Sequence, residues 1–179
     1  YRAPTPARSI AHPVKGGVDA LLKMYEVAEG EGNLDLMALI ALCGFQGLRV
    51  HEARSITPAD LQFKNMTMKV HGKGDKTEFI PLYKRTFKLL LPVFAVRDDH
   101  EPFCAYSDRG ARYAITRVAR KAGVGHVASH DLRSTFGTEV YRQSKNLRAT
   151  QEILRHASSK TTEGYTHISM DDMRRAGEL

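Results

Sequence analysis

Apolar positions along this chain recur mostly at helical spacing. Val18, Leu21, Leu22 and Tyr25 fall at i, i+3, i+4 and i+7, and Gly30 and Gly32 close that segment. Asn33 or Asp35 then opens a second, more apolar helix through Leu36, Leu39, Ile40 and Cys43, ending near Gly44 and Gly47. A helix with so little polar surface belongs at the centre of a core. Over 84–96 a further pattern points Phe87, Leu90, Leu91 and Phe94 inward, with Pro92 expected to kink or end it. Ser107 is a candidate cap for a helix burying Ala111, Ala114, Ile115 and Val118. Ser129 is expected to cap the next helix, anchored by Leu132, Phe136 and Val140, and Asn146 the one ending at Leu154, Arg155 and His156. Short helices are expected through Thr161 and Thr162 and over the polar tail 169–179, which carries Met170 and Met173.

Period-two alternation occurs once. Met66, Met68 and Val70 alternate with Thr67, Lys69 and His71, which predicts a half-buried strand. Residues 72–76 carry turn chemistry, and 77–82 form the return strand. Thr57-Pro58-Ala59-Asp60 resembles a single capped turn. The fold class is therefore α+β, mostly α-helical, with a small antiparallel β-sheet.

Composition narrows the partner rather than the fold. Apolar residues at 42% and charged residues at 26% are ordinary for a folded domain, and 179 residues suffice for one. The net charge of +7 points to an acidic partner, with nucleic acid ahead of an anionic membrane surface. No apolar run is long enough to span a bilayer. Cys43 and Cys104 stand far apart and suggest neither a disulfide framework nor a zinc cluster. His126 and His130 are four residues apart, but no acidic or cysteine ligand stands beside them at a familiar spacing, so no metal site is expected.

The candidate chemistry is concentrated late in the chain. His130 and Arg133 lie one helical turn apart and share a face, then come Leu154-Arg155-His156 and Thr161-Thr162-Glu163-Gly164-Tyr165-Thr166-His167. Upstream, Arg49 follows the apolar helix directly, with Glu52 three residues on. Lys73 stands between Gly72 and Gly74 in the predicted turn. Each residue alone has an ordinary structural explanation. Their order is specific.

That order resembles the catalytic domain of the tyrosine recombinase (phage integrase) family, over roughly residues 15–170. The resemblance implies a site-specific DNA recombinase that cleaves and rejoins strands through a covalent 3′-phosphotyrosine, without metal, ATP or other cofactor. It assigns Arg49, Lys73, His130, Arg133, His156 and Tyr165 as catalytic residues, with Glu52 supporting. Two arginines suit this chemistry because planar, permanently charged forks grip the non-bridging oxygens of a phosphate. A phenol with a pKa of about 10 needs such cations to favour its phenolate. Lys73 is expected as the general acid, and Lys76 as a plain backbone contact; the two roles are interchangeable on sequence alone. Glu52 reads equally as an i, i+3 ion pair with Arg49.

Arg109, Arg112, Arg117 and Arg120, with Lys121, put five cations on one helix, read either as a solvated face or as contacts to DNA phosphates. The implied partner is a double-stranded attachment site, with four protomers on two duplexes at synapsis and a monomer otherwise, and no membrane. Location with the DNA of a phage-bearing or bacterial cell follows, and viral genome integration is one role the resemblance offers. Residues 1–14, rich in proline, read as a linker or arm from an absent core-binding domain, and 15–179 as the catalytic domain. The tail 169–179 docks on a neighbour in the family and reads equally as folding back.

Two positions depart from the family's pattern. Arg155 stands where glycine is common, and Ser134 where a base is common. A type IB topoisomerase-like enzyme and a catalytically inactive DNA-binding module are the alternatives. Retention of all six expected groups argues against the second.

Overall fold

The most apolar stretch of the chain becomes its central element. In the computed structural model, which describes residues 12–72, 76–155 and 169–179, α2 spans Leu34–Ile40 and is capped by the Asn33 side chain, which accepts from the Leu36 N–H at 3.1 Å. Every residue from Leu36 to Leu48 is buried. Helix α1 (Gly17–Gly30) packs on it and fully buries Leu21 and Met24. The α2 path does not simply stop. It widens into a π turn at Ala41–Phe45, with the Gln46 N–H reaching the Ala41 carbonyl five residues back. π turns of this kind are often found beside functional positions.

After the π turn, Gly47 (φ +75°) reverses the chain and releases Arg49 at the cap position of α3 (Val50–Ala53). A single 3₁₀ turn at Pro58–Asp60 follows, closed by the Asp60 carboxylate accepting from the Thr57 N–H at 2.9 Å. The sheet has order β1–β2–β3 and is antiparallel throughout, with β1 at Leu61–Gln62, β2 at Thr67–His71 and β3 at Thr77–Pro81. Met68 pairs with Leu61 on one side and Ile80 on the other. Met68 and Val70 are fully buried and His71 is exposed as expected, but Thr67, predicted on the polar face, is buried as well. Met66 does not belong to the strand: at φ +48° it ends the turn that joins β1 to β2. Strand β1 escaped notice because two residues show no period.

Helix α4 (Lys84–Phe94) buries Thr86, Leu90 and Val93, a stripe at i, i+4 and i+7. Leu91, expected inward, is exposed, because the stripe runs one residue away from it. Pro92 lies inside the helix, which ends two residues later. Helix α5 (Asp108–Lys121) is capped by Ser107 and buries Ala111, Ala114, Ile115 and Val118 as expected. Helix α6 (Ser129–Ser144) packs Leu132 into the main core. Its Phe136 and Val140 join a second, smaller cluster with Tyr83, Ile153 and Leu154.

That second cluster holds the end of the chain. Helix α7 (Leu147–Ile153) is capped by Asn146, whose side chain accepts from the Ala149 N–H at 3.0 Å. Helix α8 (Met170–Gly177) lays Met173 and Ala176 against the cluster, within its own chain. Glu178 then accepts from the Lys84 N–H at 3.2 Å.

Candidate active site

Arg49 is fixed by its own backbone before its side chain does anything. Its N–H donates to Glu52 Oε2 at 2.8 Å, which is the carboxylate half of a helix-capping arrangement. The guanidinium then returns to the same carboxylate, Nη1 to Oε1 at 3.2 Å. Glu52 is thus both a cap and an ion-pair partner. It is 3% exposed. Burial pushes its carboxyl pKa up, but the Arg155 guanidinium, the Arg49 N–H and the Arg49 charge together hold it below the usual carboxylate range.

Helix α6 brings the second arginine to the same place. Ser129 is its first helical residue rather than its cap. The cap position is Ala128, and Asp131, three residues on, accepts the Ala128 N–H at 2.8 Å. Alanine has no side-chain acceptor, so only the carboxylate half of the capping arrangement forms, with a negative charge in the first turn where the helix dipole favours it. His130 and Arg133 project one turn apart toward one cleft of about 290 Å³, which Arg49, His51, Ser129 and Arg112 also line. His130 is exposed at its edge.

Arg133 is the informative cation. Nη1 donates to the Gly47 carbonyl at 2.6 Å, and Nη2 donates to the Leu154 carbonyl. Both acceptors are neutral. Burial, and then the neighbouring Arg49 charge, pull the guanidinium down to about 10, so it remains cationic at neutral pH. Among the described residues no carboxylate forms a salt bridge with it. A half-buried guanidinium held by carbonyls and opening on a cleft with further cations is a site that an anion would complete.

The remaining sequence candidates distribute as follows. Lys73, His156 and Tyr165 lie outside the described residues. Lys76 is exposed, and its carbonyl closes the β2–β3 turn by accepting from the Gly72 N–H at 2.8 Å. Arg112 lines the cleft while pairing with Asp108 at 2.8 Å on an exposed face. Arg109 and Arg120 are exposed. Arg117 instead reaches across to α1, bonding Glu31 at 3.1 and 2.7 Å, and Lys121 reaches the same carboxylate at 2.6 Å. Those two partners, Arg117 first, hold the Glu31 carboxyl down to about 2. His126 and His130 form no metal-binding group with a third ligand among the described residues.

Arg155 was not assigned to the site from the sequence. Arg155 Nη2 donates to Glu52 Oε2 at 2.6 Å, and the Arg155 carbonyl accepts from Arg49 Nη2 at 3.3 Å. The only signal for it was its departure from glycine. Its partner lies 103 residues away, beyond any local pattern.

The sequence matches the model of the phage integrase family over residues 17–172. It is 32% identical over 155 residues to the tyrosine recombinase XerC of Bacillus pumilus, covering 77% of this chain and 51% of that protein. Against XerC of Bifidobacterium longum subsp. infantis it is 34% identical over 167 residues, covering 82% of this chain and 46% of that protein. The chain thus spans about half the length of these curated relatives. Among solved structures it is similar to an integrase from mycobacterium phage Brujita, with a TM-score of 0.72 and 28% identity over 99% of this chain and 60% of that one. The XerA recombinase is similar at a TM-score of 0.66 and 27% identity, over 97% of this chain and 67% of that one.

Proposed function

This chain belongs to the phage integrase family, and we propose that it is the catalytic part of a site-specific DNA recombinase acting on double-stranded DNA. The observation that carries the reading is the Arg133 guanidinium, which is held by two carbonyls and faces a cleft shared with Arg49, Arg112 and His130. A DNA phosphate supplies an anion to Arg133, which forms no salt bridge among the described residues. Arg49 and Arg133 grip its non-bridging oxygens, and His130 and His156 add donors to them.

Tyr165 is the proposed nucleophile. Its phenolic oxygen forms a bond to phosphorus as the bond from phosphorus to the 5′ oxygen breaks. His130 helps to take the phenol proton, and Lys73 gives one to the departing oxygen. The covalent 3′-phosphotyrosine keeps the energy of the broken ester, so rejoining needs no ATP, and the clustered cations take the place of a metal. Attack by a 5′ hydroxyl from a second duplex returns Tyr165 and completes strand exchange. Synapsis of two duplexes by four protomers is the assembly this reading expects, and integration of a mobile or viral genome is one outcome of it.

Exchange between two differently labelled duplexes tests the reading. The duplexes are selected by the full protein from a randomised pool, and the reaction contains chelator and no nucleotide. Recombinant strands and a junction intermediate are expected. Relaxation of supercoiled DNA of any sequence without exchange would favour a topoisomerase-like enzyme, and tight binding without cleavage a DNA-binding module.

A further inference from the structure

Arg155 occupies a backbone position that suits glycine. Its φ is +50°, a region L side chains seldom adopt. Yet its side chain is turned inward and only 12% exposed, against a Glu52 side chain at 4%. An arginine merely tolerated at a glycine position would extend into solvent, where its charge is hydrated. This one goes to the carboxylate that orients Arg49.

The three groups share their bonds in a definite way. Glu52 Oε2 takes the Arg49 N–H at 2.8 Å and Arg155 Nη2 at 2.6 Å, while Oε1 takes Arg49 Nη1 at 3.2 Å. Arg49 Nη2 reaches the Arg155 carbonyl at 3.3 Å. A buried carboxylate with one cation draws that cation onto itself with both arms of the fork. With a second cation present, Arg49 gives Glu52 a single Nη and sends the other to the Arg155 carbonyl, and its side chain, 36% exposed, still lines the cleft. A longer contact from Arg155 Nη1 to Glu78 Oε2, at 3.7 Å, also ties this group to β3.

We propose that Arg155 is a positioning residue, which shares the Glu52 carboxylate with Arg49 and so holds the Arg49 guanidinium turned toward the scissile phosphate. The inference rests on the recombinase reading above. It concerns a side chain that glycine at this position would not provide.

The test uses the full protein and a nicked duplex selected by the wild-type protein from a randomised pool, with single-turnover cleavage and duplex Kd measured separately. Arg155→Gly leaves the backbone in a conformation glycine adopts freely, so it separates the side chain from the turn. Cleavage is expected to fall about tenfold or more, with Kd within about threefold. Arg155→Lys keeps a cation and recovers part of the rate. Once Glu52→Gln has removed the shared carboxylate, adding Arg155→Gly costs less than about threefold further, because the two act along one route. Wild-type cleavage by Arg155→Gly, a loss confined to Kd, or fully multiplying losses in the double variant would each overturn the proposal. A wild-type protein that cleaves nothing would end the recombinase reading itself, and this inference with it.

Discussion

Gly47→Ala is the perturbation whose cost the structure specifies most directly. Gly47 has φ +75°, and a Cβ built there would lie 2.4 Å from Phe136 Cδ1 and 2.7 Å from Cε1. The Phe136 ring is fully buried between Tyr83 and the end of α7, so it has nowhere to withdraw. The left-handed conformation costs an alanine about 1–2 kcal/mol. Forcing a methyl into a packed core costs about 1–3 kcal/mol more. Together they predict a loss of roughly 2–5 kcal/mol, seen as a lower urea midpoint at unchanged slope. For a domain of this size, Tm falls by roughly 4–20 °C.

The functional consequence follows from the same atoms. The Gly47 carbonyl accepts Arg133 Nη1 at 2.6 Å, and two residues later the chain delivers Arg49. Cleavage measured where the variant is still folded should therefore fall as well. Gly47→Ala combined with Phe136→Leu should cost less than the sum of the two, since leucine vacates part of the ring's space. A stability loss below about 1 kcal/mol, or strict additivity with Phe136→Leu, would refute the close approach of Gly47 to the Phe136 ring.

Glu52 should shape the acid limb of stability. Its folded pKa is depressed, so its contribution is fully present above the unfolded value of about 4.3 and is lost as pH falls through the folded value. Glu52→Gln should flatten that limb in urea unfolding between neutral and acid pH; an unchanged limb would contradict it. Arg133→Lys replaces a fork that spans the Gly47 and Leu154 carbonyls with a point charge, and cleavage should drop on the order of 10²–10³-fold while the variant stays folded. Met173→Asp places a charge against the cluster of Tyr83, Phe136 and Val140, and should free the tail to protease with a loss of roughly 1–3 kcal/mol. An unaltered digestion pattern would mean that α8 does not dock there in solution.

Much of the architecture was legible because it depends on local periodicity. The α2 stripe, the caps at Asn33, Ser107 and Asn146, and the alternation at Met68 and Val70 all depend on neighbours within a turn or a strand. The π turn was not legible, since widening a helix at Ala41–Phe45 leaves no mark in hydrophobic spacing. The Ala128 cap was missed because its acceptor is Asp131, three residues downstream, while Ser129 offered a more familiar signal. Arg49, Glu52, His130 and Arg133 were assigned through motif order, and the fold brings Arg49, His130 and Arg133 to one cleft. Long-range pairs were beyond reach: Arg117 to Glu31 and Arg155 to Glu52 join residues with no sequence relation.

A covalent trap tests directly whether Tyr165 is the nucleophile. The full protein is incubated with a selected duplex nicked close to the cleavage point, in chelator and without nucleotide, and run on a denaturing gel beside Tyr165→Phe. A protein–DNA adduct is expected that is absent from the variant and whose nucleotide maps to Tyr165 through a 3′ phosphate. Tight binding of that duplex with no adduct, or an adduct that persists in Tyr165→Phe, would contradict that role for Tyr165.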